Sequence, residues 1–121
     1  MSDEIEDYLN DVFSKHRVVL FMNGTVEAPA DAESMAARNL LSSIKIAFHP
    51  VDVSRDPRLL PAVQKRSEWE QLAQLFIDGQ FICDSFNMGT FLKSKDLDKI
   101  LKSKKVPFDE AAADQFREMN S

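Results

Sequence analysis

Sulfur is nearly missing from the chemistry open to this chain, whose 121 residues include one cysteine, Cys83. A single thiol excludes an intramolecular disulfide, a Cys-x-x-Cys redox pair and a cysteine-rich zinc site. An excess of positive charge is missing too. Fifteen Lys and Arg stand against twenty Asp and Glu, a formal net charge of −5, whereas affinity for a phosphate backbone comes from clustered basic charge. Nucleic acid is therefore not an expected partner. No apolar run approaches the roughly 20 residues that span a bilayer. The longest, Val18-Val19-Leu20-Phe21-Met22, is the size of a strand, so a soluble protein without a membrane partner is expected. The start, Met1-Ser2-Asp3-Glu4-Ile5-Glu6-Asp7, is acidic, unlike the basic opening of secretory and mitochondrial leaders. A cytoplasmic or equally reducing location is the expectation. Internal repeats and low-complexity segments are also lacking.

What is present is an ordinary globular composition, 44% hydrophobic and 29% charged, in a length that suits one domain with one core. Ile5, Tyr8, Leu9, Val12 and Phe13 recur at helical spacing between Ser2 and His16, with Ser2 or Asp3 as cap. Val18 to Met22 is short, β-branched and aromatic, the pattern of a strand buried on both faces. Asp31 to Ser43 reads as a second helix, with Asp31 as cap and Glu33 in its first turn. The residues from Ile44 to Val53 suggest a strand, which Pro50 confines to an edge or a bulge.

Asp56 to Trp69 reads as a helix with Asp56 as cap and Pro57 at its first position. Leu72 to Ile77 and Gln80 to Cys83 flank Asp78-Gly79, the signature of a tight hairpin. A last helical stretch runs from Asn87 to Leu101 and breaks near Lys93-Ser94-Lys95. This order predicts an α/β protein of thioredoxin-like fold, a four-stranded mixed sheet with one parallel βαβ unit and one hairpin, flanked by helices.

Val18-Val19-Leu20-Phe21-Met22-Asn23-Gly24-Thr25-Val26-Glu27-Ala28-Pro29 closely resembles the first strand and active-site loop of monothiol glutaredoxins, which read Val-Val-Leu-Phe-Met-Lys-Gly-Thr-Pro-Glu-Ala-Pro. Ser67-x-Trp69 and Gln74-Leu75-Phe76-Ile77-Asp78-Gly79 are similar to a second segment of that family. The resemblance covers about residues 3 to 103, and the division it implies is a glutaredoxin-like domain over 1–105 with a tail over 106–121. It implies glutathione and a [2Fe-2S] cluster as family cofactors, and a Cys-Gly-Phe-Ser motif at the start of the second helix. Here that motif aligns with Asp31-Ala32-Glu33-Ser34, and aspartate cannot carry out thiol–disulfide exchange.

The glutathione pocket that the resemblance implies is altered at further positions. A lysine aligns with Asn23, a second basic residue with Gln64, a cis-proline with Ala73, and a Gly-Gly-x-Asp segment with Cys83-Asp84-Ser85-Phe86. Lys65 and Arg66 stand close enough in sequence to replace the base at Gln64. Because a non-proline cis bond costs about 2.5–4 kcal/mol, Leu72–Ala73 is expected to be trans. Asp31 and Glu33 are expected to occupy the helix N–H groups and oppose an anionic ligand. The expected site is thus a vestigial pocket at Asn23, Asp31, Glu33, Gln64, Leu72, Ala73 and Asp84, with no catalytic residue, cofactor or metal.

Cys83 is expected in the core as a small apolar residue, the alternative being a reactive or cluster-ligating thiol. His16 and His49 have no metal-ligand or catalytic-base spacing and are expected to be solvated or hydrogen-bonded. The lysines from Lys93 to Lys105 read as a solvated face, or as a docking strip for an acidic partner. In the tail, Phe108, Ala112, Phe116 and Met119 form an apolar stripe on a short amphipathic helix, which either docks on its own domain or meets another protein. The main expectation is a binding or scaffolding module rather than an enzyme, with BolA-like or iron–sulfur assembly proteins as the partners that the resemblance implies. The alternative is a monothiol-glutaredoxin-type redox, iron–sulfur or glutathione-binding protein with atypical ligands.

Overall fold

A computed structural model describes residues 3–120. Asp3 accepts the Ile5 N–H and opens α1 (Glu4–Lys15), which buries Ile5, Leu9 and Val12. Ser2, the other candidate cap, lies outside the described residues. Strand β1 (Val18–Met22) is buried at every position, as its run of bulky apolar side chains predicts. Helix α2 (Ala32–Ser43) begins at Asp31, whose carboxylate accepts the Ser34 N–H at 2.7 Å.

The strand expected from Ile44 to Val53 contracts to β2 (His49–Asp52). Residues 44–46 close α2 instead: the Ile44 and Ile46 N–H groups return to the carbonyls of Leu40 and Leu41, and Lys45 takes a left-handed φ of 60°. That arrangement satisfies the last helical carbonyls, and it removes these residues from the ladder. Helix α3 (Leu59–Ser67) starts two residues later than Pro57, because the Asp56 side chain captures the Arg58 N–H and the Asp56 carbonyl captures that of Leu59. Those bonds make a tight turn where a first helical turn was expected.

Strands β3 (Gln74–Ile77) and β4 (Gln80–Asp84) form the predicted hairpin, with positive φ at both Asp78 (51°) and Gly79 (76°), as a two-residue primed turn requires. The last helical stretch breaks at Lys95 (φ 70°) into α4 (Ser85–Ser94) and α5 (Asp96–Ser103), and α6 (Glu110–Met119) follows. The sheet order is β2-β1-β3-β4, parallel between β1 and β2 and antiparallel elsewhere. The four-stranded mixed sheet flanked by helices is the thioredoxin-like arrangement.

Alternation along β1 splits the core into two layers. Val19 and Phe21 pack with Leu9, Leu59, Val63 and Phe76 beneath α1 and α3. Leu20 and Met22 pack with Leu41, Leu75, Met88, Leu92 and Leu97 on the other face. Helix α6 joins this second layer: Ala113 is fully buried, Phe108 and Phe116 pack against it, and Arg117 meets Asp98 at 3.0 Å with both side chains largely covered.

Candidate functional site

The end of β1 and the start of α2 are tied by one carboxylate. Asp31 accepts the Ser34 N–H through Oδ1 and the Asn23 side-chain amide through Oδ2 at 2.6 Å, while the Asn23 N–H donates to the Ser34 hydroxyl. Burial acts to raise the Asp31 pKa, but the bonds from Asn23 and Ser34 outweigh it and hold the group below the usual carboxylate range. The loop between them is pinched at Gly24 (φ 83°), where a Cβ would stand 2.5 Å from the Ala28 carbonyl oxygen. Only glycine fits there. The Gly24 N–H donates to Asp52 at the end of β2, which anchors the loop to the sheet edge.

The opposite wall is built around Asp84. Its carboxylate caps α4 by accepting the Asn87 N–H at 2.7 Å and also accepts the Trp69 indole N–H at 2.7 Å, with 2% of the residue exposed. Between the walls lies a cleft of about 520 Å³ lined by Glu33, Trp69, Gln71, Leu72, Asp84, Ser85, Phe86 and Asn87. Glu33, Leu72 and Asp84 therefore share one cleft, Asn23 and Asp31 are bonded to each other at the head of α2, and Ala73 is fully buried. Gln64 turns away to donate to the Glu70 carbonyl.

Two expectations are corrected here. The Leu72–Ala73 peptide is cis. The single-bond cost omitted what surrounds it: Gln74 Nε2 donates to the Trp69 and Gln71 carbonyls, the Ser85 N–H to that of Ala73, and the Ser85 hydroxyl to that of Leu72. Arg66 does not replace a base at Gln64, since its guanidinium is held on α1 by Glu6 (2.6 Å) and Asn10 and lies over the Phe13 ring. Trp69 is the wall residue that sequence reasoning undervalued; its one signal was its place in the Ser-x-Trp segment.

An iron–sulfur cluster needs thiolates, and the donor set does not fit one. Cys83, the only thiol, is 2% exposed within β4, and its pKa is pushed up to about 12, by burial first and then by the negative charge of Asp84. Asp31 offers two oxygens that already accept hydrogen bonds.

The histidines, both partly exposed, make a contact with each other that their spacing in sequence does not foretell. His16 and His49, distant in sequence, stack ring on ring at 3.7 Å, because the parallel pairing of β1 with β2 sets Val19 opposite His49, beside the end of α1.

The glutaredoxin family model matches residues 18–82. A chloroplastic monothiol glutaredoxin-S7 of Oryza sativa subsp. japonica is 34% identical over 69% of this chain. A probable monothiol glutaredoxin 2 of Rickettsia typhi is 30% identical over 78% of it. The chain spans 51% of the rice protein's length and 86% of the rickettsial one. Among solved structures, a monomeric truncated mutant of Trypanosoma brucei 1-C-Grx1 superposes with a TM-score of 0.75 at 29% identity, covering 89% of this chain and 97% of that one. Reduced apo GrxS14 from poplar gives 0.75 at 28%, covering 84% and 93%.

These findings overturn the expectation that the chain is not an enzyme. Its relatives are named monothiol glutaredoxins, proteins of redox-enzyme type, and the exchanged side chains do not by themselves show the chain to be inactive. By the span of the family match and by these identities, the chain belongs to the glutaredoxin family, with monothiol glutaredoxins among its relatives.

Proposed function

We propose that the chain is a monothiol-glutaredoxin-type protein that binds glutathione in a redox role, with atypical ligands in its cleft. The observation that supports this is the cleft itself, which persists between the starts of α2 and α4 at about 520 Å³, within the roughly 300–1,000 Å³ usual for small-molecule sites. Glutathione carries its own thiol, so the chain's part is to hold and orient it. Glu33 and Asp84 suit the peptide's ammonium group and oppose its carboxylates. Affinity in the millimolar range is the expected result of this mixed balance.

The test is titration of the full chain with reduced glutathione, followed by amide NMR. Saturable shifts at Glu33, Leu72, Ser85 and Asn87 support the reading; a flat titration through the millimolar range overturns it. An Asp31→Cys variant adds a second arm. Its thiolate attacks one sulfur of oxidised glutathione, a new S–S bond forms, and one glutathione thiolate leaves. Mass spectrometry then shows one glutathionyl adduct per chain if the cleft orients the peptide, and unselective slow adduct formation if it does not.

A second reading rests on the mouth of the cleft, where Phe86 is 82% exposed and Trp69 42%. Exposed aromatic side chains of this kind favour protein docking, and the partners proposed are BolA-like or iron–sulfur assembly proteins. Binding of a purified BolA-like protein that is weakened by Phe86→Ser supports it, and binding indifferent to that change counts against it.

A further inference from the structure

The other end of β1, a strand about 13 Å long at the usual rise per residue, carries a further cavity of about 470 Å³, with Lys15, His16, Arg17, Lys45, Phe48 and His49 in its walls. No carboxylate is among its lining residues, in a chain with a net charge of −5. The His16 and His49 rings lie within 1° of parallel at 3.7 Å. Stacked in this way, their in-plane nitrogen lone pairs run side by side and do not converge on one metal ion. What the pair presents is N–H donors and the capacity to take up positive charge.

The neighbouring cations are available. Lys15 pairs with Asp11 and Lys45 with Asp109, both in exposed geometry with lysine side chains 65% and 73% accessible, and such pairs contribute only about 0–1 kcal/mol. A doubly charged anion displaces them at little cost. Arg17 is different: Asp78 holds it at 2.9 and 3.1 Å and the Lys104 and Lys105 carbonyls accept its remaining bonds. It supplies a fixed positive charge. Phe48, Val18, Val106 and Pro107 give the cavity an apolar floor.

We propose that this pocket binds the phosphate-monoester group of a phosphorylated small molecule, held by Lys15, Lys45 and the stacked pair His16 and His49. The groups that face the histidines are Lys15 with Asp11 from α1, Arg17 with Asp78 from the hairpin turn, Lys45 with Asp109 ahead of α6 and the Lys104–Lys105 segment after α5; His49 also shares a neighbouring cavity with Glu4, Glu27, Asp52, Asp56, Arg55 and Arg58. Burial first and then His16 hold the His49 pKa below its usual value. A dianion reverses that preference, so binding takes up protons and tightens as pH falls.

The test is titration of the full chain with inorganic phosphate and with sulfate, whose charge is constant over the range, read at backbone amides and imidazole C–H protons at about pH 6 and about pH 8. One saturable set of shifts confined to residues 15–18 and 45–49 is expected. Sulfate affinity is expected to be several-fold higher at the lower pH, because the dianion favours the protonated imidazole. Lys45→Gln should weaken binding several-fold, and His49→Gln should abolish the pH dependence, with His16→Gln as the replacement should the β2 substitution disturb folding. Shifts spread over the lysines of α5, or an affinity indifferent to these substitutions, overturn the proposal.

Discussion

Asp31 serves the fold and the site with the same two oxygens, since the bonds that cap α2 also keep the carboxylate ionised. The consequence for pH has a definite sign. A carboxyl whose folded pKa is depressed stabilises the protein above its unfolded value, about 3.9, and loses that contribution as pH falls through the folded value. Asp52 is shifted the same way, burial opposing and the bonds from Ser54 and Gly24 prevailing. Asp31→Asn should therefore reduce the slope on the acid side of a plot of melting temperature against pH, with Asp52 and the hydrogen-bonded carboxylates of Asp56, Asp78, Asp109 and Asp114 still contributing. Asp31→Ala should cost about 1 kcal/mol near neutral pH, the usual effect of losing a cap, as read from urea unfolding.

Helix α6 is the element whose role the structure decides, because Ala113, Phe108 and Phe116 pack on the core beside α4 and α5 while Arg117 reaches Asp98 and the Leu92 carbonyl; Met119, expected in the same stripe, is 84% exposed because it lies beyond the contacting face. Truncation after Lys105 removes this cover from Leu92, Leu97 and Leu101 and leaves the Asp98 carboxylate without its cation. A loss of about 2–4 kcal/mol and a clear fall in melting temperature are expected, the range for uncovered core side chains and a broken, partly buried ion pair. Elements such as β1 and the Asp78-Gly79 hairpin were legible in the sequence because their signals are local: a run of bulky apolar residues and a turn dipeptide. What escaped were features set by the competition between local bonds or by distant chain. The apolar alternation at 44–48 resembles a strand, but the closing turn of α2 claims those residues. His16 meets His49 only through the parallel register of β1 and β2. In the site, the cap at Asp31 could be read directly, whereas the bond from Trp69 to Asp84 depends on how the segment before β3 folds against β4.

At the scale of the whole molecule, the two pockets differ in charge, carboxylates lining the cleft and cations lining the pocket at the histidine pair. Glutathione is itself anionic at neutral pH, so its approach to Glu33 and Asp84 is opposed by a repulsion that salt screens within about 8 Å at physiological ionic strength. Glutathione affinity is therefore expected to rise as sodium chloride is added, by calorimetric titration, while sulfate affinity at the opposite pocket falls. An affinity for glutathione that drops with salt would place attractive charge in the cleft instead. The indole N–H of Trp69 ends on the Asp84 carboxylate at the cleft wall, and the sequence contains one tryptophan. The protein thus carries its one tryptophan fluorophore at this cleft. Its emission, excited selectively in the red edge of the protein absorption, reports the occupancy of that cleft in unlabelled material. Ligands of the distant histidine pocket should leave that emission unchanged, so one spectrum separates the two ends of the molecule.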